Sequence, residues 1–95
     1  MKNDKTLVAF RRCRSGQVVA VFPREMARHR DAPAMGRECC VGSYAIPDGH
    51  SAAQWGWIVD STRPATQAEY ATLKRNMETC YDYSLDVTHR LPRLR

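Results

Sequence analysis

The twelve residues CCVGSYAIPDGH, positions 39 to 50, bring two adjacent cysteines, a tyrosine, an aspartate and a histidine into one short stretch. A tetrahedral zinc centre needs four ligands converging on a point, and its cysteines usually stand two to four residues apart so that one knuckle presents both sulfurs. Cys39 and Cys40 are adjacent, and on a strand adjacent side chains point to opposite faces. His50 could therefore join only one of them, with Cys13, Cys80 and His89 brought in by the fold. The spacing predicts no metal and no cofactor. A Cys-His nucleophile pair needs a group that stabilises the thiolate and a third that orients the imidazole, and Cys40, His50 and Asp60 are the local candidates. No nucleophile turn and no glycine-rich phosphate cradle accompanies them, so a non-enzymatic chain is expected. The stretch then reads as a strand over Cys39 to Ile46, stopped by the turn signal Pro47-Asp48-Gly49, with His50 bonding the backbone of that turn.

Seven arginines form the second group with chemical potential: Arg11, Arg12, Arg14, Arg24, Arg28, Arg30 and Arg37. Residues 1 to 46 hold nine Lys/Arg against four Asp/Glu, whereas residues 47 to 89 hold three against six. A basic half of this kind suits phosphate or an acidic protein face. Guanidinium groups add bidentate recognition. No helix-turn-helix and no aromatic RNA-binding signature supports them, so nucleic-acid binding is the second reading and a protein partner the first.

The elements that must position these groups follow from local pattern. In a chain of 95 residues, 43% of them hydrophobic, one soluble domain over 1–95 is expected. The longest apolar run, Val18 to Phe22, is far too short to span a bilayer, and no signal-type segment opens the chain. The expected setting is the cytoplasm, where the four cysteines stay reduced. TLVAFRRCRSGQVVAVFP reads as a β-hairpin about Arg14-Ser15-Gly16. With Cys13 opposite Gln17, Val8, Phe10, Val18, Ala20 and Phe22 share one face, and Leu7, Ala9, Arg11, Val19 and Val21 the other. A mobile basic loop is expected over residues 24–38, with one helical turn near Glu25 to His29, and a basic tail over 90–95.

QWGWIVD, alternating in a β-rich composition, predicts a fourth strand with Trp55, Trp57 and Val59 on one face and Gly56, Ile58 and Asp60 on the other. Thr66 and Glu69 form a capping box ahead of the helical spacing Tyr70, Leu73, Met77 and Cys80. Leu85 and Val87 mark a last strand. The predicted class is α+β: an antiparallel sheet of about five strands, in the order ββββαβ, with one helix packed on one face. One helix cannot cover both faces. Val19, Val21 and Ile58 are therefore expected on an open second face, as an interface for a partner or a second copy in a homodimer.

Three segments, FRRCRSGQVVAVFP, GSYAIPDGHSAA and TRPATQAEYATLKRNMETCYDYSLDVTHRLP, together cover about three fifths of the chain. They resemble a family of short proteins found in bacteria, phages and plasmids, most specifically through the P-A-T-x-x-E-Y-x-x-L-K pattern. Asp48-Gly49-His50 stands where that family has a sequence closer to Gly-Gln-His. The resemblance implies a mobile-element origin and carries no activity and no functional residue with it. The expected function is that of a small binding protein, an inhibitor or modulator of a host defence or regulatory protein.

Overall fold

The computed structural model describes residues 5–27, 40–46 and 49–92. Strands β1 (Thr6–Cys13) and β2 (Val18–Ala27) form the hairpin. Phe10 stands opposite Ala20 and Arg11 opposite Val19, the expected register. The Cys13 N–H donates to the Gln17 carbonyl at 2.9 Å, and Gly16 sits at φ +94°, a left-handed conformation that a residue without a Cβ adopts at no steric cost. β2 runs on through a bulge between Phe22 and Met26 to pair with β3 (Cys40–Ala45), so residues 24–27 are strand and not the loop or helical turn expected there. Arg28, Arg30, Arg37 and the rest of that loop lie outside the described residues.

Past the turn, β4 (Gly49–Gln54) returns along β3, with Tyr44 opposite His50 and Cys40 opposite Gln54. The far edge of β1 is shared. Arg11 to Cys13 pair antiparallel with β5 (Thr62–Pro64), and Thr6 to Ala9 pair parallel with β6 (Leu85–Thr88). The class is the expected α+β, a small and mainly antiparallel sheet with a helix packed on it.

That helix, α2 (Gln67–Cys80), starts as its sequence dictates. The Glu69 N–H donates to Thr66 Oγ1 at 3.2 Å and the Thr66 N–H to Glu69 Oε1 at 2.9 Å, which satisfies two otherwise orphaned donors. Tyr70, Leu73 and Met77 press onto Val8, Phe10, Ala20 and Phe22. Phe10 and Tyr70 stack with centroids 4.3 Å apart. Cys80, expected on that stripe, is exposed instead.

The principal correction is at QWGWIVD. Trp55–Ser61 form a helix, α1, laid across the second face of the sheet. At its start Gln54 makes no side-chain cap bond, and at its end the Thr62 hydroxyl donates to the Ile58 carbonyl. A seven-residue helix is marginal on its own, and burial must hold it. Trp55 and Ile58 close over Val19, Val21, Val41 and Ala45, with Leu91 packing at the rim. Val19, Val21 and Ile58 are thus core, at 8%, 0% and 0% exposure, and not an open interface. Fully burying a side chain such as Ile58 is worth about 1.5–3 kcal/mol, enough to override the β-propensity of this composition. The tryptophans part company as a result. In a strand they would share a face, but α1 buries Trp55 and turns Trp57 outward.

Candidate functional site

Among the described residues, Cys40, His50 and Asp60 do not come together. Cys40 and His50 sit four positions apart along the β3–β4 ladder, roughly 13 Å at the rise of a strand. Asp60 belongs to α1, among the residues at the β1–β5 end of the sheet. Burial raises the Cys13 thiol above its ordinary value, which disfavours the reactive thiolate. Cys39 lies outside the described residues.

His50 meets the residues that follow α2; Pro47 and Asp48, in the turn whose backbone it is expected to bond, lie outside the described residues. Its Nε2 lies 3.1 Å from the Tyr83 hydroxyl, and its ring packs against Tyr44 and Tyr81 at centroid distances of 4.7 and 4.9 Å. Asp82, at φ +58°, turns the chain so that Tyr81 and Tyr83 both reach this group. The Tyr44 hydroxyl donates to Asn76 Oδ1 at 2.6 Å. Burial, and then Tyr81, Cys80 and Tyr83, push the Tyr44 phenol above its ordinary value. Burial, Glu25 and Tyr81 do the same to Tyr83. These phenols stay protonated near neutrality, and the cluster ties β4 to the end of α2.

Among the described residues no three His, Cys, Asp or Glu side chains gather as a metal-holding group. The spacing of the cysteines predicts that elemental analysis of the purified protein finds no stoichiometric zinc and that a chelator leaves its melting temperature unchanged; one zinc per chain would refute this.

The arginines separate into structural and available groups. Arg11 is buried at 7% exposure. Its Nε donates to Thr62 Oγ1 and its Nη2 to the Thr62 carbonyl, both at 2.9 Å, while the Thr62 hydroxyl donates to the Ile58 carbonyl. Arg11 thus clamps the end of α1 to β1 and presents no surface. Arg11→Leu should cost about 1–3 kcal/mol in chemical denaturation, because it strips buried acceptors of their donors.

Arg12 and Arg63 face each other across the β1–β5 ladder, a like-charge pair that destabilises unless something bridges it. Glu69 is that bridge. Its Oε2 accepts from Arg12 Nη1 at 2.9 Å and Arg63 Nη2 at 3.0 Å, and its Oε1 accepts from Arg63 Nη1 at 3.2 Å. These bonds, first those from Arg63, and the Thr66 N–H hold its carboxyl down at about 2. Arg14 and Arg24 are exposed.

Beside this bridge lies an open cleft of about 370 Å³, lined by Arg12, Cys13, Arg14, Asp60, Ser61, Thr62 and Arg63. Trp57 belongs to the same side of α1, since Trp57, Asp60 and Ser61 recur at i, i+3 and i+4. It is 39% exposed. A partly exposed tryptophan on the helix side that borders an arginine-lined cleft has the composition of a protein-binding hot spot. The sequence signal for it was that i, i+3, i+4 spacing, which the strand reading hides.

Comparison of this chain with family models, curated proteins and solved structures finds no match. Among the described residues no helix is long and apolar enough to cross a membrane.

Proposed function

We propose that this chain is a small non-enzymatic binding protein that acts by occupying a surface of a partner protein with the outer face of α1. The observation that supports this reading is the outward Trp57 on a helix whose other tryptophan is buried, on the side of α1 whose Asp60 and Ser61 line a cleft with Arg14 and Arg63. The partner surface that fits offers an apolar pocket for the indole and acidic groups at its rim. The resemblance to short proteins of phages and plasmids supports a mobile-element origin, with a host defence or regulatory protein in the cytoplasm as the target. The test is capture of a partner by the tagged protein, followed by reconstitution from purified components. Trp57→Ala is expected to weaken that purified complex by tenfold or more while leaving stability unchanged. A complex indifferent to Trp57→Ala overturns the assignment.

Nucleic-acid binding is the second reading, favoured by exposed Arg14 and Arg24. It is weakened by the removal of Arg11 into the core and the engagement of Arg12 with Glu69. Affinity resting on five or six phosphate contacts falls by orders of magnitude between ~50 and ~200 mM salt. Sub-micromolar binding that persists at physiological salt and is lost on Arg14→Glu with Arg24→Glu would promote it.

A further inference from the structure

The two sides of the sheet are guarded differently. A strand at an edge leaves half of its backbone N–H and C=O groups open to any other strand. Proteins blunt such an edge with short length, charge, proline, a bulge or a covering segment. On the β1 side these devices are present: β5 has three residues and carries Arg63 and Pro64, and β6 has four and carries Asp86. On the other side β4 lacks them. It runs for six residues, Gly49–Gln54, in unbroken register with β3, and among the described residues it pairs with no other strand. Its sequence, GHSAAQ, holds no Lys, Arg, Asp, Glu or Pro. No segment covers it, since His50, Ser51, Ala52 and Gln54 are all exposed.

Charge selects the occupant of this edge. A chain of net charge +5 repels its own copies over most of its surface. β4 is the edge on which a second copy can be laid with no charged side chain facing another across the new ladder. Geometry then selects the register. Residues directly opposite in an antiparallel pair project from the same face of the sheet, so a two-fold pairing must set one residue against itself. Centred on Ser51, the ladder needs Gly49 opposite Ala53, but Gly49 sits at φ +80°, outside the extended region. Centred on Ala52, the ladder runs from His50 to Gln54 and sets these two opposite each other.

We propose that β4 pairs antiparallel with β4 of a second copy, joining the two sheets about a two-fold axis at Ala52. The axis is perpendicular to the joined sheet, so both copies present α1 on the same side. The edge is separate from the outer face of α1, and dimerisation does not depend on Trp57.

Sedimentation equilibrium of the full chain tests this. The expected result is a monomer–dimer equilibrium with a Kd between about 1 μM and 1 mM, in keeping with a small interface, and no larger species. Ala52→Lys and Ala52→Glu, at an exposed position, should each weaken the dimer tenfold or more by setting like charges opposite each other. Circular dichroism should show both variants folded. An equimolar mixture of the two should associate at least tenfold more tightly than either alone, because opposite charges then meet on the axis. Trp57→Ala should dimerise like the wild-type protein. The proposal is overturned if the wild-type chain is monomeric up to about 1 mM, if it forms larger oligomers, if both charge variants dimerise unchanged, if mixing them restores nothing, or if Trp57→Ala abolishes the dimer.

Discussion

Ile58→Asp should leave no folded protein at 25 °C, and Ile58→Ala should lower the unfolding free energy by about 2–5 kcal/mol. Ile58 has no exposed surface and lies between α1 and the sheet face made by Val19, Val21 and Val41. A carboxylate there has no partner charge, and burying it unpaired costs several kcal/mol. Total stabilities of small domains are themselves about 5–15 kcal/mol. Val21→Asp should behave alike, since Val21 is also fully buried. Circular dichroism and denaturant titration read both. A folded, soluble Ile58→Asp protein would mean that this face is open after all, as QWGWIVD read as a strand implies.

Glu69→Ala should be markedly damaging although Glu69 lies outside the apolar core. It removes one half of the capping box and the anion between Arg12 and Arg63 together. Loss of a helix cap alone, as in Thr66→Ala, costs about 1 kcal/mol, and Glu69→Ala should exceed Thr66→Ala because two opposed guanidinium groups are left facing each other. The same residue sets an acid dependence. Its carboxyl titrates at about 2 in the folded chain against an ordinary value of 4.5. A depressed folded value means that the contribution is complete above the ordinary value and drains away as pH falls from about 4.5 toward 2. Melting temperatures of the wild-type protein should therefore drop through that window, and Glu69→Gln, less stable at neutral pH, should drop less. Parallel pH curves for the two proteins would show that Glu69 is not the group responsible.

Local chemistry was legible in the sequence wherever neighbours along the chain decide the outcome. Gly16 fixed the hairpin register, Thr66 and Glu69 fixed the start of α2, and helical spacing picked out Tyr70, Leu73 and Met77. QWGWIVD was misread because aromatic and β-branched residues favour strand locally, while the uncovered Val19, Val21 and Val41 face demands a lid. Tertiary burial decided between them. The role of Arg11 was hidden for a similar reason, as its acceptor Thr62 lies 51 residues away. The cluster about His50 depends on Asp82 taking a left-handed conformation at the end of α2, which glycine signals in a sequence far more often than aspartate does. The candidate surface was legible only in composition, as tryptophan and arginine. Which tryptophan and which arginines reach solvent depends on α1 being a helix.

The two tryptophans report on that directly. With Trp55→Phe and Trp57→Phe as single-tryptophan proteins, fluorescence and iodide quenching measure the environment of each indole in turn. The protein retaining Trp55 should emit at short wavelength and resist quenching, and the protein retaining Trp57 should emit near the wavelength of tryptophan in water and be quenched several-fold more readily. Equal accessibility of the two, the outcome for a strand that places both on one face, would contradict the account.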